Sequence, residues 1–195
     1  GRGLFELRPR GRRDRYGPIL YLEPHTDLNR NAIGFDLYSE AVRQRAMRMA
    51  MESGQSQLTG KVILGRDAER PSPALVLFTP VYGQALDVDS PTTRRSAIRG
   101  WVLAPFRMDH MLHTALSPGR GKMQVRVVDV TNAGHEVLYQ DGGIDAPHTF
   151  THSLAMGFYG RRWRFDFFSG PTETAAPQLA ALDKLLLAGI AVSLL

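Results

Sequence analysis

An α+β fold made of short antiparallel strands is what this sequence predicts, on three observations. Short apolar and β-branched runs recur along the chain, each closed by Gly, Pro, Asn or Asp. One stretch between them, Ser39 to Gly54, spaces its apolar residues as a helix does. Late in the chain, Trp163, Phe165 and Phe167 alternate with Arg162, Arg164 and Asp166, the pattern of a sheet with one packed and one wet face. Strands of this kind interrupted by two or three helices belong to the α+β class.

Taken in order, Gly1 to Tyr16 reads as a hairpin leading into a strand from Ile19 to Glu23, which Pro24 ends. The polar segment His25 to Asn31 delivers the chain to a strand, Ala32 to Asp36. Ser39 then stands as N-cap of a helix that begins at Glu40, buries Val42, Ala46, Met49 and Ala50, and stops at Gly54. Strands follow at Lys61 to Leu64 and Ala74 to Val81, with Gly65 to Pro73 as the loop between them. Gln84 to Arg95 reads as an exposed loop and Ile98 to Phe106 as a well-buried strand. Asp109 is placed to cap a helix carrying Met111, Leu112, Ala115 and Leu116, stopped by Ser117, Pro118 and Gly119. The remaining strands are expected at Val125 to Val130, Glu136 to Tyr139, Thr149 to Ala155 and Arg161 to Phe168. Pro171 to Pro177 breaks the sheet, and a helix from Gln178 runs into an apolar tail.

At 195 residues, with 43% hydrophobic and 22% charged content, the chain is long enough for one domain or two small lobes and is not a disordered polymer. It has no cysteine, which excludes a disulfide framework and thiolate metal sites. The net charge of +5 is densest at Arg8, Arg10, Arg12, Arg13 and Arg15. That cluster is interrupted by Asp14 and lacks interleaved aromatics for base stacking, so no nucleic-acid partner is expected. The chain opens in mid-element without a signal peptide. At its other end Leu185 to Leu195 is apolar and uncharged, which reads as the entry of a membrane helix, the alternative being a buried C-terminal helix.

Sequence signatures of catalysis are missing: there is no phosphate-binding glycine loop with Lys and Ser/Thr, no nucleophile elbow and no His-Glu-x-x-His pair. No cofactor is expected. His110 with His113, and His148 with His152, have the spacing of metal pairs but no third ligand nearby, so no metal is expected either. Asp36 is the polar residue of interest. A carboxylate closing an apolar run needs hydrogen-bond donors, and two sources are open: Arg99 and the Tyr82 hydroxyl within the chain, or a bound small molecule.

The runs GFDLYSEAVRQRAM and SGQSQLTGKVIL, and the strand ending FTPVYG, resemble in order and spacing the core of the CHASE domain. The resemblance extends back through Phe5, Pro9, Gly11 and Tyr16 to Tyr21, Leu22, Glu23 and Pro24, and forward through Gly100 to Phe106. It implies two PAS-like lobes with antiparallel sheets, lacking the long N-terminal helix of that family. Residues 1–106 would be the distal, ligand-binding lobe, truncated at its start. Residues 107–176 would be the proximal lobe, and 177–195 the start of the transmembrane helix. It further implies the periplasmic or extracellular part of a cytoplasmic-membrane receptor, with a small-molecule ligand, the membrane through the C-terminal helix and a second copy of the chain as partners. The segment would be no enzyme itself, but would signal to a histidine kinase or a nucleotide cyclase. In the similar plant cytokinin receptors the adenine-recognising aspartate corresponds to Asp36, and the leucine packing on the ligand to Leu58. With Phe78, Tyr82 and Gly100 these complete the expected ligand-binding set. A further threonine of that pocket has no counterpart that aligns in Gly65 to Pro73. A ligand-independent dimerisation module is the other reading, marked by a filled core and an apolar outer face instead of a pocket.

Overall fold

In the computed structural model, residues 6–24, 26–64, 73–84, 87–116, 123–142, 144 and 150–169 are described. They form an α+β arrangement with two antiparallel sheets. Contacts divide the chain into two compact units, one of residues 1–60 and 76–104, the other of 61–75 and 105–195.

In the first unit, a single-turn helix, α1 (Asp27–Arg30), is capped by the Thr26 hydroxyl, which accepts from Asn29 N. Its turn carries on through Ala32 and Ile33, whose amides donate to Asn29 O and Arg30 O. The expected strand from Ala32 to Asp36 therefore does not form. Only Phe35 and Asp36 are extended, as single bridges to Arg8 and Pro18. Ile19 to Glu23 is no strand either: the one bridge nearby is at Pro18, before the segment, and Leu20 is 74% exposed.

Helix α2 (Ala41–Ser53) follows a 3₁₀ turn over Leu37–Ser39. Ser39 does not cap α2, whose N-cap is Glu40 with no side-chain cap bond; Asp36 caps the 3₁₀ turn, accepting from Tyr38 N, while Ser39 Oγ donates back to Asp36 O. Gly54 ends the helix as expected, at φ 74°, a left-handed conformation that glycine adopts without a Cβ penalty. The buried face runs through Arg43, Ala46, Met47, Ala50 and Met51, so Val42 and Met49 face outward. The phase turns because Arg43, paired with Glu40, is buried although the sequence places it off the apolar face. Burial also pushes the Arg43 guanidinium pKa down from its ordinary value.

The first sheet is built around β3 (Pro73–Tyr82). β1 (Gln57–Leu58) pairs with it at Gln57↔Phe78 and Leu58↔Leu77, β2 (Val62–Ile63) at Val62↔Ala74 and Ile63↔Pro73, and β4 (Ile98–Arg107) also pairs with β3. Between β3 and β4 the expected loop contains a helix, α3 (Pro91–Ala97). Ser90 and Thr93 cap it reciprocally and Pro91 opens it, a start signal hidden in a polar stretch. β4 is half-exposed instead of well buried, with Val102 at 63%.

The second unit contains α4 (Met108–Leu116), which buries Met108, Met111, Leu112 and Ala115. Asp109 lies in its first turn, not at the cap. The second sheet has the order β6-β5-β8-β7, from β5 (Gln124–Asp129), β6 (Glu136–Gln140), β7 (Phe150–Phe158) and β8 (Arg161–Ser169). Three of the four strands fall where the sequence places them, and β7 runs three residues past the expected end at Ala155, through Gly157 to Phe158. Trp163, Phe165 and Phe167 are buried, and the Trp163 ring lies 4.9 Å from Phe158. The expected helix from Gln178 and the membrane entry lie outside the described residues. Among those described, no helix is long and apolar enough to cross a membrane.

Because Trp163 is fully buried at the centre of this aromatic face, Trp163→Ala should destabilise the protein by about 3–5 kcal/mol. Denaturant unfolding monitored by far-UV circular dichroism measures it, and a loss under about 1 kcal/mol would show that the face is not the core of its unit.

Candidate functional site

Asp36 has no solvent exposure. Its Oδ1 accepts from Gly17 N at 2.8 Å and Tyr38 N at 3.1 Å, and its Oδ2 from Arg13 Nη1 at 3.2 Å. The backbone adds Asp36 N to Arg8 O at 2.6 Å and Leu37 N to Gly17 O at 3.0 Å. Two stretches of chain, residues 13–17 and the turn at 36–38, thus meet on one carboxylate. Gly17 sits so close that a Cβ there would lie 2.5 Å from Met47 Cε, so only glycine brings its amide to Asp36 without displacing that side chain.

The donors foreseen for Asp36 were Arg99 and Tyr82, and neither is among its partners. Arg99 is exposed, and the Tyr82 hydroxyl donates to Met51 O at 2.6 Å. Arg13 went unrecognised because it stands in an arginine cluster that reads as a solvated edge. Its guanidinium lies 5.8 Å over the Tyr16 ring, a contact that no motif in the sequence announces.

The remaining expected site residues divide between the two faces of the first sheet. Residues directly opposite in an antiparallel pair share a face and alternate along a strand. Leu58 therefore shares a face with Leu77, while Phe78 and Tyr82 lie on the other. That other face is turned to α2, because Tyr82 reaches Met51 O and Trp101 Nε1 donates to Met47 O at 2.9 Å. Gly100, next to Trp101, points away from α2, and a Cβ built on it meets nothing within 4 Å. Leu58 and Gly100 thus belong to a far face with open space above Gly100, and Phe78 and Tyr82 to the wall behind it. The polar groups of the far face are the hydroxyls of Ser56 and Thr79, 2.7 Å apart. Burial raises the Tyr82 phenol pKa above its ordinary value, with Arg94 opposing the shift.

Among the described residues no group of three or more His, Asp or Glu could hold a metal ion. His110 and His113 are exposed on α4, and His148 lies outside the described residues.

The CHASE domain matches over residues 1–139, and the chain belongs to that family. CHASE domains are extracytoplasmic sensor domains without catalytic activity of their own. A search of curated proteins finds no match.

Removing the buried carboxylate strands two backbone amides and a guanidinium, so Asp36→Ala should cost about 3–5 kcal/mol. Arg13→Gln leaves the buried carboxylate its two backbone amides and puts a neutral amide donor in place of the guanidinium, so it should cost less, about 1–3 kcal/mol. Chemical denaturation of both variants checks the ratio. Equal losses would make the guanidinium the principal partner instead of the two amides.

Proposed function

We propose that this chain is the sensory region of a membrane-bound receptor. It binds a small molecule outside the cytoplasm and passes the signal through a transmembrane helix to a cytoplasmic kinase or cyclase, as one half of a homodimer. Residues 1–106 and 107–176 are read as distal and proximal PAS-like lobes, with the membrane entry in 177–195. The CHASE match over residues 1–139 carries this reading. The ligand surface is assigned to the far face of the first sheet, at Leu58 and Gly100, where space is open above the glycine. Phe78 and Tyr82 back that surface from the α2 side, and Asp36 holds the chain that frames it. A face of aliphatic side chains with two hydroxyls suits a neutral, mainly apolar molecule better than an ion.

Thermal unfolding in the presence of purines, amino acids and short-chain metabolites tests the reading. A ligand of the native state at one hundred times its Kd should add about 2.7 kcal/mol of stability. Gly100→Leu, placed in open space, should melt close to the unmodified protein and lose that gain. A full gain in the variant would put the ligand elsewhere. No gain from any compound, together with a dimer in sedimentation, would favour the dimerisation module instead.

A further inference from the structure

The second sheet has an outer face, opposite to Trp163, on which arginine is concentrated. Among the described residues, Arg126 on β5 and Arg162 and Arg164 on β8 share it with one acidic residue, Asp166. Arg164 donates to Asp166 through Nε at 2.9 Å and a second nitrogen at 3.2 Å, and Arg126 Nε stands 3.7 Å from the same carboxylate. One carboxylate cannot neutralise three guanidiniums, and Arg162 is exposed. The register of β7 adds room beside them: Ala155 is opposite Arg164 and Gly157 opposite Arg162. A Cβ on Gly157 would meet only Arg161 O, at 4.0 Å.

We propose that this arginine face is an electrostatic contact with the anionic surface of the bilayer. A sheet face with Arg162 exposed and Arg126 and Arg164 half-exposed suits many weak contacts with an extended charged surface rather than tight enclosure of one small anion. The apolar, uncharged run from Leu185 to Leu195 follows β8 closely in the sequence. If it enters the membrane, the sheet is tethered beside lipid headgroups, where even a weak attraction is effective through high local concentration. The inference thus rests on the membrane-anchored reading above, and its test separates the two.

The test is co-sedimentation of the whole chain with vesicles of phosphatidylcholine alone, or of phosphatidylcholine mixed with phosphatidylglycerol, at low and at physiological salt. Binding to the neutral vesicles reads the apolar tail, and the excess on anionic vesicles reads the arginine face. The excess should fall with salt and drop about tenfold in Arg162→Glu and in Gly157→Glu. It should be unchanged in Arg12→Glu, which alters the basic cluster of the other unit. Melting temperatures identify any variant that misfolds, and Gly157→Glu, at an open position, keeps the test usable if Arg162→Glu does. An excess that survives both substitutions, or one lost in Arg12→Glu, overturns the proposal while leaving the tail reading intact. Absence of binding to neutral vesicles instead removes the tail reading, and an anionic preference that still depends on Arg162 keeps the face.

Discussion

The first unit depends on the Asp36 carboxylate. A charge with no access to water has to be compensated where it sits, and here the partners are the amides of Gly17 and Tyr38 and the guanidinium of Arg13. Gly17 and Arg13 come from an N-terminal segment with no regular secondary structure, and Tyr38 from the turn that starts α2. One side chain therefore does what a sheet ladder does elsewhere: it gives an irregular segment a fixed position against a helix. The backbone bridges of Arg8 and Ile19 to residues 34–36 complete the arrangement.

A second constraint is the way α2 is registered on the sheet. The last carbonyls of a helix have no partner within it. Here Tyr82 donates to Met51 O and Arg94 Nη1 to Glu52 O at 2.9 Å, while Trp101 reaches Met47 O one turn earlier. Donors from β3, β4 and α3 thus set the height of the helix as well as its face. Apolar packing by Met47, Ala50 and Phe78 supplies the burial, but only directional bonds select one position along the axis.

Much of the second unit was legible in the sequence. Alternation in β8 and β-branched runs in β5 are local signals that the tertiary structure uses, although Asp166 and Phe168, on the face read as wet, are also buried. Errors concentrate in the first unit, where polar residues were read as surface. Arg43 is buried and turned the expected face of α2, taking Val42 and Met49 outward. Ser90 and Thr93 begin a helix inside a stretch whose composition reads as loop. Asp36 was rightly singled out as a buried carboxylate, yet its partners lie far off in sequence, and spacing carries no information about Arg13 or Gly17. The five expected site residues were drawn from one resemblance, and only the register Leu58↔Leu77 reveals that they occupy two faces of a sheet.

That division bears on how a sensor of this build would respond. Under the proposed function a ligand on the Gly100 face presses on β3 and β4, whose opposite sides carry Tyr82 and Trp101. Because both side chains bond to carbonyls of α2, a displacement of the strands either carries the helix along or breaks those bonds. Breaking a buried hydrogen bond costs about 1–3 kcal/mol when a group is left without a partner. Moving strands and helix together keeps every bond. The start of α2 is held separately, through Tyr38 and the Asp36 carboxylate. A shift of the sheet is therefore resisted at one end of the helix and transmitted at the other, so the motion the bonding pattern favours is a tilt of α2 about its Asp36 end and not a slide along its axis.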